Sequence, residues 1–580
     1  MFPTGSTRRP ARPGILAACL ALAALASPAL AGMPLEATPF WQSAPNGHRA
    51  TGGAWADVDG DGWIDMIVAN GNDMARQNLV VYHNNGDGTF PLDPTWVSAD
   101  ADYHGHLDVG DINGDGLVDV AVAVYLGPNR FGDPGCVKVY LNNGEGGFHP
   151  LPSWISADRF FCFSVALGDA DGDGDLDLAC ACGEDYYDDP ERQRIYFNDG
   201  GVLEATPSWL STEIGYALDV FWSDVDGDGD LDLAFCGTST PLRIYLNAQT
   251  AGGGIATTAS WENADLPQYG NTCALADWNG DGFPELAVAD NSQLGGLGRF
   301  KVYANTGGTL EATPAWTSND GGYGSHVSWI DPDLDGDLDL ATGRWWGAAR
   351  IYENTGGTLT GNPVWSSSVA PVIENMFWGD VDNDGLLPTG LTIASGDGAR
   401  THFTLGRAPA RSVDEVRVDG ATLPPTAYAV HEGNGWISLA APPPPGQGNV
   451  EIRYTWSADD DLGMTTWDST RGNYIFLHQG VAAAPPAAQA VAAMTVAPNP
   501  MIGMTALRYR GACADRARVA VHDVDGRLVR TLHDGPLPEG LISWQWDRRD
   551  EAGRIVASGV YFARMEAAGE TASRRLVVLR

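Results

Sequence analysis

The stretch "SDVDGDGDLDLAFCG", residues 223–237, sets aspartates at 224, 226, 228, 230 and 232 and then runs directly into an apolar segment. Five like charges beside residues fit for burial repel one another, and a cation held among them offsets that repulsion. The same text returns with first aspartates at Asp57, Asp111, Asp169, Asp224, Asp277, Asp331 and Asp380, about 54 residues apart. Self-similarity at a fixed period marks a repeat architecture, so the repeating unit has to be read before any single residue.

Each copy continues into an alternating or apolar run (MIVAN, VAVAV, LACAC, LAFCG, LAVAD, LATGR), then a second run (VVYHNN, KVYLNN, RIYFND, RIYLNA, KVYANT, RIYENT). A short segment ending in Trp, such as EATPSW or EATPAW, closes it. With the run that leads into each aspartate loop this makes four short strands per unit, and helix signals are nearly absent. Such units fit an all-β, seven-bladed β-propeller over residues 33–406 and 458–480, with eight blades as the alternative. The termini support closure: LEATPFW, residues 35–41, copies the end of a unit before any unit has begun, whereas GNYIFLHQG, residues 472–480, has no such ending after it. The N-terminal strand is expected to complete the last blade and hide the open edges. That blade is interrupted, and residues 407–457 read as a small inserted β module among Pro-rich turns. Residues 481–494 read as a linker, and 495–580 as a seven-strand Ig-like sandwich.

The aligned loops follow D-x-[DN]-x-D-x-x-x-[DE] with Gly at the sixth position. Oxygen ligands at positions one, three, five and nine, with a carbonyl at seven, can wrap one hard cation while Gly allows the sharp turn. An EF-hand would place its last acid at position twelve and continue into a helix; here a strand follows. Six sets are complete: Asp57, Asp59, Asp61 and Asp65; Asp111, Asn113, Asp115 and Asp119; Asp169, Asp171, Asp173 and Asp177; Asp224, Asp226, Asp228 and Asp232; Asp277, Asn279, Asp281 and Glu285; Asp331, Asp333, Asp335 and Asp339. The expectation is about six structural Ca²⁺ sites, calcium being preferred to magnesium because Mg²⁺ needs a tighter octahedron and keeps more water. The seventh copy has Asp380, Asp382 and Asp384 but Pro388 at position nine, which predicts weak binding or none.

If the aspartate turn joins the first and second strands, the start of strand one and the loop after strand two meet on the opposite face. That places Tyr103, Phe161, Tyr216, Tyr269 and Tyr323 there, with His106, Asp219 and His326 nearer the axis and Trp345 and Trp346 in a neighbouring loop. Aromatic residues beside varied polar groups suit a sugar- or peptide-binding face; packing of blade-to-blade turns is the competing reading. No catalytic constellation stands out.

Composition narrows the partners. Lys+Arg of 34 against Asp+Glu of 74 leaves a net charge of -40, which repels nucleic acid and anionic membranes. Residues 1–32, with Arg8, Arg9 and Arg12 before an apolar run and Ala29-Leu30-Ala31 before Gly32, read as a secretory signal peptide, and no later stretch is long enough for a transmembrane segment. Seven cysteines follow it, an odd number that allows at most three internal bridges and fits buried free thiols equally well.

The aspartate loops resemble those of the FG-GAP/VCBS repeat family, whose propellers include the integrin alpha-subunit head. That resemblance covers about residues 34–480 and implies calcium turns on one face and ligand recognition on the other. "APNP", "VAVHDVDGRLVRTL" and "WQWDRRDEAGRIVASGVYFARM" resemble the FlgD-type Ig-like domain and the C-terminal sorting domains of type IX secretion. This second resemblance implies outer-membrane export machinery as a partner; a sorting signal and a structural cap both remain open. Together these readings describe an extracellular or bacterial cell-surface, calcium-binding propeller for adhesion to a glycan or surface protein. The alternatives are an extracellular carbohydrate-active enzyme, a lyase or hydrolase, with its site in the propeller funnel, and a purely structural surface protein.

Overall fold

Short alternating runs separated by Gly- and Asp-rich turns fold here as four-stranded antiparallel meanders. The computed structural model describes residues 33–249, 252–265, 269–385, 387–479, 494–497, 505–511, 514–524, 526–537, 540–567 and 570–579. The leader reading of residues 1–32, nearly all of the linker and Cys513 lie outside them. Blade 1 has the strands Ala50–Ala56, Asp65–Asn70, Val80–Tyr82 and Trp96–Val97, and blades 2 to 6 repeat that order from inner strands Tyr103–Gly110, Cys162–Gly168, Trp209–Ser223, Gly270–Ala276 and Gly324–Ile330. Trp209–Ser223 does double duty, closing blade 3 with its first half and opening blade 4 with its second.

Blade 7 is assembled from three distant pieces. Its inner strand Ile373–Gly379 pairs with Asp461–Thr466, which pairs with Tyr474–Phe476, whose far edge takes the N-terminal strand Trp41–Gln42. The N-terminal strand therefore closes the ring, and the blade count is seven.

The insert starts earlier than residue 407. Thr389–Ala394, which the expected boundary at 406 left in the propeller, belongs to the insert, so the interruption falls between Gly379 and Asp461, inside the aspartate turn itself. Its strands Ser412–Val418 and Val450–Thr455 join Thr389–Ala394 in one sheet. The C-terminal domain does not stand apart from it: Gly540–Trp546 pairs in parallel with Thr389–Ala394, and Leu391 and Ile393 enter the sandwich core beside Leu507, Val519, Trp544 and Met565.

Two repeated contacts join the blades. The Trp ending each unit packs edge-on against an aromatic of the next blade, Trp154 on Tyr196 and Trp209 on Tyr245 at ring-centroid distances of 5.3 and 5.5 Å, a geometry that the ring quadrupoles favour. The other contact is polar. Asn84, Asn142, Asn198, Asn247, Asn305 and Asn354 each follow strand three and donate a side-chain N–H to the loop of the preceding blade, at Val381, Val58, Ile112, Ala170, Val225 and Trp278 O, over 2.7 to 2.9 Å. In blade 7 His478 takes that place, its Nε2 2.7 Å from Pro332 O. The six described cysteines are free and buried.

Asn84 carries the link that closes the ring, from blade 1 to blade 7, and it is buried. Asn84→Ala is expected to lower the stability by about 1 to 3 kcal/mol, because the Val381 carbonyl loses its donor. The exposed neighbour Asn85→Ala should cost about 0.5 kcal/mol or less. Urea unfolding midpoints of the two variants check this.

Candidate functional site

The aspartate loops are built from their last acid outward. Asp65, at the start of strand two, is 1% exposed; its Oδ2 accepts Val58 N–H at 3.0 Å and its Oδ1 accepts Asn84 N–H at 2.8 Å. Asp119, Asp177 and Asp232 repeat both bonds. The first acid folds the turn over them: Asp57 Oδ1 accepts Gly60 N–H and Asp61 N–H, and Oδ2 accepts Gly62 N–H. Glycine at the sixth position takes φ of 97° at Gly229, a left-handed conformation that a side chain would strain.

Carboxylate oxygens of Asp57, Asp59 and Asp61 lie within 4.8 Å of one another, as do those of Asp169, Asp171 and Asp177 and those of Asp224, Asp226 and Asp232. Asp171 Oδ1, Asp224 Oδ1, Asp331 Oδ1 and Asp339 Oδ2 are buried with no hydrogen-bond donor among the described residues. Asp339 Oδ2 is bare for a simple reason: Pro332 stands at the second loop position and has no N–H to give. Burial, and then the neighbouring carboxylates, push Asp339 and Glu285 up to about 9 and Asp119 up to about 7. Converging hard oxygens with unmet lone pairs fit a hard divalent cation.

The insert covers this face. Arg407 donates to Asp331 Oδ2 at 2.5 Å and to Asp331 O at 2.8 Å, Arg400 Nη2 stands 3.5 Å from Asp224 Oδ2, and Arg411 donates to Gly62 O at 2.8 Å. His431 Nε2 is 3.1 Å from both oxygens of Asp108. Between insert and propeller runs a cavity of ≈ 1930 Å³, lined by inner strands, aspartate loops and insert residues.

On the opposite face the expected aromatic ring is incomplete. Tyr103 and Phe161 turn inward, 8% and 5% exposed, into a cluster with Tyr125, Leu126 and Phe163, so they pack the blade tops rather than present a surface. Tyr216 and Tyr269 are half-buried; the Tyr216 hydroxyl donates to Asp188. Tyr323 and Trp346 are 38% and 54% exposed and meet at 5.8 Å between ring centroids. Trp345 and Trp467 complete a quartet with them, in edge-on contacts of 5.7 to 6.3 Å. Trp345 Nε1 donates to the buried carboxylate of Glu374 at 2.6 Å, which fixes its ring. A second exposed group joins Phe131 to Tyr186 and Tyr187.

His106, Asp219 and His326 do come together at the cavity wall, all buried. Asp219 is already committed: Oδ1 accepts Ser164 Oγ–H at 2.7 Å, Oδ2 accepts Cys273 N–H at 3.0 Å, and His106 Nδ1 is 3.6 Å away. Burial pulls His326 down to about 3, which keeps its ring neutral.

Sequence reading missed Trp467 and Glu374. Trp467 had a signal: it follows Asp461 by the same six positions that separate Trp345 from Asp339. Glu374 had none, because its role depends on the two tryptophan-bearing loops meeting above it.

Residues 57–122, 123–180, 224–288 and 277–342 match the FG-GAP-like repeat, and residues 509–570 match the FlgD Ig-like domain. The chain thus carries four FG-GAP-like repeats and a FlgD Ig-like domain. No curated protein matches it. A solved structure titled "Crystal structure of BBS1N in complex with ARL6DN, soaked with lead" is similar with a TM-score of 0.37 and 11% identity, over 72% of this chain and 97% of its own.

Glu374 offers a pH handle on the quartet. Burial raises its pKa from 4.5 to about 7, so the folded state holds a proton there that the unfolded state releases. Its stabilising contribution is full below 4.5 and is lost as the pH rises through about 7. Tryptophan emission is expected to titrate with a midpoint near 7, and Glu374→Gln should abolish that step.

Proposed function

We propose that the chain acts outside the cell as a calcium-stabilised propeller that binds a glycan on the face opposite its aspartate loops. One observation carries this reading: Trp346 stands 54% exposed on a rim where Tyr323, Trp345 and Trp467 hold it edge-on. An exposed, immobilised indole is a platform for the C–H face of a sugar ring, and little entropy is lost in using it. Tyr186 and Tyr187 extend the aromatic area beside Asp185, Asp188 and Asp189. That carboxylate-rich border, with the net charge of -40, favours neutral or cationic sugars over anionic polymers.

In this reading calcium stiffens the scaffold. The loop carboxylates would hold it, and bound it would supply positive charge to the oxygens that lack donors. With Kd of about 0.1 to 1 mM in about 1 mM calcium, each site would add roughly 0.4 to 1.4 kcal/mol, so six would contribute on the order of 2 to 8 kcal/mol. The leader text at 1–32 and the FlgD Ig-like domain support an extracellular or cell-surface location, with outer-membrane export machinery as a partner of the C-terminal domain.

Glycan-array binding by the full chain tests the recognition. Trp346→Ala is expected to weaken it about tenfold, equivalent to about 1.4 kcal/mol, since a stacking ring is lost without disturbing the core. An array with no bound sugar, alongside capture of a defined surface protein through the same tryptophan, would move the reading to protein adhesion. EDTA should lower the melting temperature measured by calorimetry, and excess calcium should restore it; an unchanged melt would remove calcium from the account.

A further inference from the structure

Blade 7 looks metal-poor in sequence because Pro388 occupies the ninth loop position, but the chain supplies the missing acid from the far end of the insert. Asp461 pairs with Gly379 in the register in which Asp65 pairs with Ala56 and Asp119 with Gly110. Its Oδ2 accepts Val381 N–H at 2.9 Å and its Oδ1 accepts His478 N–H at 2.7 Å, the two bonds Asp65 makes to Val58 and Asn84. It is 1% exposed. The insert thus separates the ninth residue from the rest of the loop in sequence while leaving an acid in its place in space.

A second feature points to an ion. Asp459, its side chain 2% exposed, faces the Asp384 carboxylate. His478 takes its Oδ1, and Oδ2 has no hydrogen-bond donor among the described residues. A buried oxygen left bare against a second carboxylate is costly unless positive charge lies between them. His478, which gives Nε2–H to Pro332 O and pairs with Asp459 through Nδ1, is held protonated and meets the charge from the Oδ1 side, leaving the second carboxylate charge to be answered. Arg411 does not answer it: its Nη1 is 3.7 Å from Asp380 Oδ2, the oxygen that already accepts Ser457 Oγ–H at 2.8 Å.

We propose that Asp380, Asp382, Asp384, Asp459 and Asp461 form a seventh calcium site, split by the insert, whose ion staples both ends of the insert to the propeller. This rests on the calcium reading of the other loops. The insert shares a sheet with Gly540–Trp546 of the C-terminal sandwich, so an ion at this junction also steadies the root of that domain.

Titration calorimetry of the chelator-stripped full chain with calcium alone, alongside tryptic digestion, tests the site. Asp384→Asn and Asp459→Asn are the variants of choice, because neither carries the strand-anchoring bonds of Asp461; equal melting in EDTA confirms that they fold. Each is expected to bind one ion fewer than the unaltered chain. Calcium should slow cleavage after Arg417 and Arg453, insert residues that pair with Glu415 and touch no aspartate loop, in the unaltered chain and lose that effect in both variants. Unchanged stoichiometry in both variants, or cleavage indifferent to calcium in the unaltered chain, overturns the seventh site alone. No calcium uptake by the unaltered chain overturns the reading of every loop with it.

Discussion

The ring depends on a carboxylate buried at the start of every second strand. A carboxyl group that is 0 to 1% exposed, as all seven are, costs several kcal/mol to ionise unless its lone pairs are met and its charge is countered. Here the lone pairs are met by two backbone N–H groups, one from the loop in front and one from the residue after strand three. That second residue is the Asn, or in blade 7 the His, whose side chain crosses to the preceding blade. One acid thus fixes the aspartate turn, the third strand and the seam between blades. Further acids stand beside it in the loop above, so the like charge concentrates at one point of each blade.

Blade 6 shows the same constraint relaxed. Pro332 withdraws one of the two N–H groups, Asp339 keeps a bare oxygen, and burial carries its pKa up to about 9. The chain compensates nearby with Arg407, which reaches the first acid of that loop from the insert. Arg400 and Arg411 approach the first acids of blades 4 and 7 in the same way. An insertion in an exposed turn is the least disruptive place to lengthen a chain, and this one returns cationic groups to the face it covers.

Much of this was legible beforehand, for physical reasons that differ by feature. The repeat, the blade count and the closing strand are written in periodic apolar text and in the orphaned LEATPFW, because pleated strands with one partner on each side impose a strict local pattern. The Trp and Tyr of each unit were visible as a pattern, and only the packing showed that they meet across blades. The Asn links were visible as letters, in HNN, LNN, FND, LNA, ANT and ENT, but their meaning lies between blades, where local reading has no purchase. The start of the insert was misplaced because LTIAS alternates as well as any second strand; its pairing with Gly540–Trp546 could not be inferred from neighbours in sequence. Of the aromatic residues expected on that face, Tyr323 and Trp346 stand exposed, whereas Tyr103 and Phe161 turn inward beside Tyr125 and Phe163, because packing of the blade tops cannot be read from one repeat alone.

Covering one face of a propeller changes what the other face can do. The aspartate side is roofed by the insert through Arg400, Arg407, Arg411 and His431. Nearer the axis, Asp219 has both oxygens committed to Ser164 and Cys273. What remains for a large partner is the opposite rim, where aromatic rings stay exposed although burying them would be favourable. Edge-on neighbours hold the indole of Trp346 in solvent, and the carboxylate under Trp345 restrains the ring beside it. The rim thus withholds apolar area from its own core and braces it, and the proposed recognition rests on that feature.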